Sequence, residues 1–314
     1  MLFAVLLKKM TQRGKIFSYP EKEGFTMKMH YGSFLHILSI AVAVAGMAGL
    51  FLLLRRRSLK TQRAVVFVLM LVNVIQHLFK FAIYPQYAGD SFNMINTAYN
   101  MCALLILLSP LVYFSKSAFW KDFTFPVGAV AGLMAIAVPI WYVGKDVSEL
   151  GFGYFRFYLC HFLLFLSSGL TLALGHHRLS YRRCFGIGAA FLLSLLIILC
   201  NDALCIILGL APHQVEDLYS ALRTLNPCWS MGPPVDGSFA PVVSLIQIFT
   251  LPFLRGENST GLYAPILWYA IPLYIGITLV AFPVCILVDR KNFLSDRKKR
   301  KNSLQTEDNF KNNH

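Results

Sequence analysis

Charge is what this sequence has least of. Only 14% of its 314 residues are Asp, Glu, Lys or Arg, while 56% are hydrophobic and the mean hydropathy is +0.58. A water-soluble fold of this length would have too few polar residues to cover its surface, so soluble architectures are excluded. Acidic residues are scarcer still, 15 against 29 Lys and Arg. The resulting net charge of +14 is not distributed like a nucleic-acid patch. Between Ala64 and Asp289 ten cations meet ten acids, and the excess lies at the ends, +9 over residues 1–63 and +5 over residues 290–314. Blocks such as Arg55-Arg56-Arg57 and Arg297-Lys298-Lys299-Arg300-Lys301 follow apolar runs, where cations set topology and meet anionic lipid headgroups. Membrane lipids are therefore the expected partners, as substrate or environment, and nucleic acid is not; the oligomeric state is left open.

Cysteine motifs are also missing. The seven cysteines are odd in number, five of them (Cys102, Cys160, Cys200, Cys205, Cys285) lie well inside apolar segments, and no CxxC or Cys/His cluster has metal-ligand spacing. The expectation is neither a disulfide framework nor a metal site, and no cofactor. The pair His176-His177 beside Arg178 reads as loop. The leading MLFAVLL has its lysines behind it rather than ahead, which does not fit a signal peptide. No fixed-period repeat is visible.

Long apolar runs are abundant. Crossing roughly 30 Å of hydrocarbon takes about twenty helical residues. Runs of that order occupy Phe34–Leu54, Ala64–Tyr84, Met94–Phe114, Phe123–Val143, Phe152–Leu174, Cys184–Leu210 and Leu262–Val288. They lack the alternation of barrel strands, and only a helix satisfies its own backbone in lipid without closing a barrel. The fold expected is an all-α polytopic bundle of about seven transmembrane helices over residues 34–288. It carries a long outer loop, 211–261, in which Phe239–Leu254, with Pro241 and Pro252, suits a re-entrant or interfacial segment. Residues 1–33 form an N-terminal tail and 289–314 a basic tail.

Lys and Arg number 5 in residues 55–63, 0 in 85–93, 2 in 115–122, 1 in 144–151, 3 in 175–183, 2 in 211–261 and 8 in 289–314. This alternation puts the first, third and fifth connections and the C-terminus in the cytoplasm of a multi-pass cell-membrane protein. The six cations of the N-terminal tail would then lie outside; a start at Met27 or Met29, with residues 1–26 an extension, resolves the exception. Asn258-Ser259-Thr260 matches a glycosylation sequon in the outer loop.

Polar side chains inside hydrocarbon are costly and normally face the bundle interior. Asn73, Gln76, His77 and Lys80 fall at i, i+3, i+4 and i+7, one helical face, which serves equally as a polar pathway or as interhelical glue with Lys80 reaching the headgroups. Asn93, Asn96 and Asn100 repeat the pattern at the entry to the third span. At about 100° per residue Cys102 lies some 200° from Asn100, off that face. In the fifth span Tyr154, Tyr158, His161 and Ser168 share a face, with Arg156 near the outer end as a phosphate ligand or a headgroup contact. The sixth span carries Asn201 and Asp202, and Asp202 calls for a partner such as Arg156, Lys80 or His161. A cysteine, a histidine and an Asn or Asp held by three helices form the set that thiol acyl chemistry needs: nucleophile, base, and orienting or oxyanion-binding group.

The stretches Asn100–Trp120 (NMCALLILLSPLVYFSKSAFW), Phe152–Leu172 (FGYFRFYLCHFLLFLSSGLTL) and Leu192–Leu204 (LLSLLIILCNDAL) resemble the YwaF-type bacterial integral membrane proteins. That family is similar to a eukaryotic transmembrane acyltransferase that moves acyl chains between phospholipids with a Cys nucleophile and a His. The resemblance implies Cys102 and His161 as the catalytic pair and Asn201 as the orienting residue. The chain departs from the bacterial pattern at Ala98-Tyr99-Asn100, where those relatives carry a Leu-Pro approach and a His.

Three functions compete. The leading one is a lipid-modifying enzyme, acyl transferase or acyl-ester hydrolase, with Cys102, His161 and Asn201 catalytic and Asn100, Arg156, Tyr158, Asn73 and His77 lining the substrate site. A small transporter or channel would use the Asn73/Gln76/His77/Lys80 face. A non-catalytic membrane scaffold would use every one of these groups as interhelical glue.

Overall fold

The structure, a computed structural model, describes residues 30–84, 92–139, 147–211, 217–234, 240–256 and 262–312, without the side chains of 147–153, 301 and 304–312. The proposed start at Met27 or Met29 and the sequon at Asn258 lie outside the described residues.

The described residues form helices with no strand, only an isolated bridge between Arg255 and Tyr263. Five helices are long and apolar enough to cross a membrane. They include α1 (Phe34–Leu54) and α2 (Leu59–Leu78). The helix α3 (Met101–Phe114) is apolar but has only 14 residues. The next, α4 (Ala118–Ala137), carries Lys121 and Asp122 near its start, after the first turn. The other three long apolar helices are α5 (Val147–Ala173), α6 (Cys184–Ile207) and a later one, α9. Between α6 and α9 lie two short helices, α7 (Leu218–Leu225) and α8 (Ala240–Ile248). The nine described residues of α8 are too few to span a bilayer. The chain closes with α9 (Leu267–Val288) and the highly charged α10 (Arg290–Asn312).

Helix starts follow short polar residues that can accept orphan backbone N–H groups. Ser33, Ser58, Asn100 and Ser117 each cap the helix that follows, through His36, Thr61, Ala103 and Trp120. Proline inside α3 is tolerated because the carbonyl it orphans is recovered. Pro110 cannot donate to Ile106, and the Ser109 hydroxyl donates to that oxygen at 3.0 Å instead.

One helix is enclosed by the others. In α5, 61% of the apolar window is buried, against 6–33% in the other four long helices. It packs on α1, α2, α3 and α4. Outward faces stay apolar: Phe34, Leu53, Leu279 and Leu287 are each at least 66% exposed. Such a surface is stable against lipid and not against water.

The tightest approach joins α4 to α5. Gly128 and Gly132 stand one turn apart in a small-xxx-small pattern, and a Cβ on Gly132 would lie 2.7 Å from both the His161 carbonyl oxygen and the Phe165 nitrogen. Only a glycine lets the two backbones meet there, beside a predicted site residue.

The end of the bundle bearing Arg55–Arg57 is sealed by polar contacts. Gln62 donates to the Leu54 and Arg57 carbonyls at 3.0 and 3.2 Å, terminating α1, and accepts from His176 Nε2 at 3.1 Å. The amide oxygen can only accept, so Nε2 carries the hydrogen and Nδ1 accepts the Tyr113 hydroxyl at 2.8 Å. His177 instead donates to Asp122 at 2.7 Å, and Arg183 grips the same carboxylate at 2.5 and 3.2 Å. The two loop histidines thus serve different partners.

Two predictions arise. Gly132→Val forces α4 off α5 and costs about 2 kcal/mol or more, read as a lower melting temperature in detergent. Burial first, and Arg63 second, hold His176 below its ordinary value of 6.5. The native state therefore favours the neutral ring, and its contribution is present above pH 6.5 and lost as the pH falls, when the unfolded state takes up the proton first. Replacing His176 with Gln should flatten the fall in melting temperature between pH 6.5 and 5.

Candidate functional site

At the opposite end of the bundle, Lys80–Ile83 is a short helix after α2, and residues 92–100 before α3 form no α-helix. Met94–Asn96 is a single 3-10 turn, capped by Asn93, and α3 begins only at Met101. The expected asparagine face of a third span is therefore replaced by caps. Asn93 accepts the Ile95 N–H, Asn96 donates to the α2 carbonyl of Leu78 at 3.1 Å, and Asn100 accepts the Ala103 N–H at 2.9 Å. Short amides compete for backbone groups and end helices, which is why three of them in eight residues interrupt the span.

This cap places Cys102 in the first turn of α3, partly exposed, against a cluster containing Leu105, Cys160 and Leu164. The Cys102 thiol lies close enough to the buried His161 ring to interact with it electrostatically. The ring is fixed from below: Nδ1 lies 2.7 Å from the Phe157 carbonyl oxygen and 3.3 Å from Cys160 Sγ, while the Cys160 thiol donates to that same carbonyl at 3.2 Å. A carbonyl only accepts, so Nδ1 carries the hydrogen and Nε2 keeps its lone pair, the tautomer a general base requires. The Phe157 ring, centred 4.4 Å from the imidazole, limits its rotation.

The polar face of α2 holds this arrangement. Asn73 donates to the Cys160 carbonyl at 2.9 Å and accepts from Gln76 at 2.7 Å; Gln76 accepts from Tyr84 at 2.7 Å. His77 Nε2 meets the Thr97 carbonyl at 2.9 Å, and its ring lies parallel to that of Tyr99. Asn73, Gln76 and His77 are all at most 5% exposed. Lys80 does not reach headgroups as expected. It is 1% exposed, donates to the Ile95 carbonyl and stands 5.4 Å from the centre of the Tyr99 ring, because the segment 92–100 folds back over its ammonium.

Asn201 donates to the Thr97 hydroxyl at 2.8 Å and to Asp202 at 3.0 Å. It is tied to the segment preceding Cys102 rather than bonded to His161. Asp202 takes its neighbour Asn201 and, among the described residues, forms none of the ion pairs anticipated with Arg156, Lys80 or His161. An amide one residue away reaches the carboxylate without moving a cation through the bundle. Arg156 interacts electrostatically with His77, Lys80 and Cys160, which brings two cations to this end of the site. Tyr158 stacks obliquely on Tyr154, ring centres 4.6 Å apart.

Sequence reasoning missed three participants. Thr97 links His77, through its carbonyl, to Asn201, through its hydroxyl, and carries no spacing signal. Cys160 was visible as the residue preceding His161. The third is the turn Asn226–Trp229, where Asn226, Cys228 and Trp229 have φ of 40°, 50° and 60°. Side chains rarely accept that backbone. It is pinned by Tyr269 and Trp268, which donate to the Cys228 and Trp229 carbonyls at 2.9 Å each. The Cys228 thiol, which burial pushes up to about 11, rests on the Met101 backbone next to Cys102.

An all-helical bundle with lipid-compatible outer faces and polar groups turned inward defines a polytopic membrane protein. Residues 28–209 match the TMEM164 family, and the chain belongs to that family of transmembrane proteins. The matched stretch contains Cys102, His161 and Asn201 and ends before the Cys228 turn. No curated protein and no solved structure matches the chain.

Asn73→Ala leaves the Cys160 carbonyl and the Gln76 amide without partners. It should cost about 1–3 kcal/mol in thermal unfolding, whereas Asn73→Asp, which keeps an acceptor for Gln76, should cost less if the acid is neutral.

Proposed function

We propose that the chain is an integral membrane lipid-modifying enzyme that transfers or hydrolyses fatty acyl esters through Cys102 and His161. Seven spans, with α3 and α4 counted among them, the C-terminus in the cytoplasm and the likeness to YwaF-type proteins belong to the same proposal. The observation that carries it is the nearness of a first-turn thiol to an imidazole whose Nδ1 is tied to Phe157.

His161 Nε2 takes the Cys102 proton as sulfur attacks the ester carbonyl carbon. The carbonyl electron pair moves onto oxygen, beside the Cys102 backbone N–H, one of the donors that a helix start leaves without an internal acceptor. Collapse of this adduct expels the alcohol oxygen, which receives the proton from His161, and leaves a thioester on Cys102. An acceptor hydroxyl then gives its proton to His161 and attacks the thioester carbon; the C–S bond breaks, the Cys102 sulfur recovers the proton from His161, and the acyl group is transferred, while water in place of the hydroxyl gives hydrolysis. Asn100 and Asn201 set the approach to Cys102 from the cap and from Thr97. Arg156 and Lys80 supply the positive potential that suits a phosphate headgroup.

The transporter reading is weakened by the satisfied hydrogen bonds along Asn73, Gln76 and His77, which leave no open polar track there. The experiment is acyl exchange between phospholipids by the purified protein in liposomes. Cys102→Ala should reduce turnover to background with an unchanged melting temperature, and His161→Gln should lower it about 10²–10⁴-fold. Full activity in Cys102→Ala would overturn the proposal.

A further inference from the structure

A polar cavity lies at the other end of the bundle from Cys102. Its volume is about 190 Å³, and its walls include Arg63, Lys121, His176, His177, Tyr113 and Thr171. Tyr113 is eleven residues along α3 from Cys102, about 17 Å at 1.5 Å per residue, so the cavity is separate from the Cys102–His161 site.

The polar side chains of its wall divide into two kinds. His176, His177 and Thr171 are engaged: His176 between Gln62 and Tyr113, His177 on Asp122, Thr171 on the Ser167 carbonyl at 2.8 Å. Arg63 and Lys121 are not. Among the described residues neither forms an ion pair or a side-chain hydrogen bond, and the nearest acid, Asp122, is already gripped by Arg183 and His177. Two cations from different helices, α2 and α4, therefore meet across one small cavity whose local acid is neutralised. Like charges facing each other across a pocket repel, and an anion between them removes the repulsion while offering acceptors to the guanidinium fork and the ammonium. The aromatic rings of Tyr113, Phe114 and Phe125 complete the wall.

We infer that this cavity is a binding site for a phosphate group, with Arg63 and Lys121 as its ligands. Its position at the end of the apolar helices, beside Arg55–Arg57, fits the phosphate of an anionic lipid headgroup; a soluble phosphate offers the same chemistry. The network of Gln62, His176 and Tyr113 holds the wall in shape and is not itself the ligand.

The test uses the purified full-length chain and lipid retention by native mass spectrometry, with phosphatidic acid and phosphatidylcholine supplied equally. The intact protein should retain phosphatidic acid preferentially. The double variant Arg63→Ala/Lys121→Ala should retain at least about fivefold less. Lys60→Ala, which removes an exposed cation nearby but outside the cavity wall, should retain as much as the parent. A parallel arm follows melting temperature against inorganic phosphate: stabilisation of the parent and not of the double variant, without lipid preference, assigns the site to a soluble phosphate. Equal retention by parent and double variant, or an equal loss in Lys60→Ala, overturns the inference, as does the absence of both lipid preference and phosphate stabilisation. Both altered side chains reach the surface, and an unchanged elution volume on size exclusion checks that the double variant is folded.

Discussion

A polar group in hydrocarbon has no water to fall back on, and the arrangement of this protein depends on how that demand is met inside the bundle. The Asn73 amide is the central instance. By donating to the Cys160 carbonyl it fixes α2 to α5 at the residue before His161. Gln76 and Tyr84 complete the chain of donors, and His77 joins the Thr97 carbonyl. The same requirement explains Ser109 beneath Pro110 and the asparagine caps before α3. Stability and site geometry therefore use one set of hydrogen bonds, which ties the position of the imidazole to the packing of α2 rather than to α5 alone.

The coarse fold was legible because hydrocarbon imposes a length rule that apolar runs obey openly. The run Phe34–Leu54 is the helix α1 to the residue. The third run was misread at its start: Met94–Phe114 is apolar enough to span, but Asn93, Asn96 and Asn100 favour local backbone contacts and hold the helix back to Met101. Periodicity assumed one helix where chemistry made a cap. The angular separation calculated between Asn100 and Cys102 lost its meaning for the same reason.

The residues of the candidate site could be named from the sequence; their connections could not. Cys102 and His161 were named from composition and resemblance, and the structure makes them neighbours. Asn201 was placed at the site but acts on Thr97, and Asp202 sits with Asn201 rather than with a cation. Such choices depend on which side chain arrives within 3 Å, information that separation along one helix does not contain. Lys80 shows the limit from the other direction: its position near a helix end implied a headgroup contact, while a folded-back segment buried it. The pattern Gly128-x-x-x-Gly132, which sequence reasoning passed over, marks the close helix crossing beside His161.

On the proposed reading of α3 as a span, its shortness has a mechanical consequence. Fourteen residues extend about 21 Å, roughly 9 Å less than the usual hydrocarbon thickness. The deficit falls at the end that carries Cys102, where non-helical chain and a cluster of amides and cations take the place of lipid-compatible helix. A bilayer meeting this flank would have to thin or admit water locally. Acyl-chain length in the host membrane then becomes a variable that acts on the thiol directly, through the depth at which its end of the bundle meets the aqueous phase.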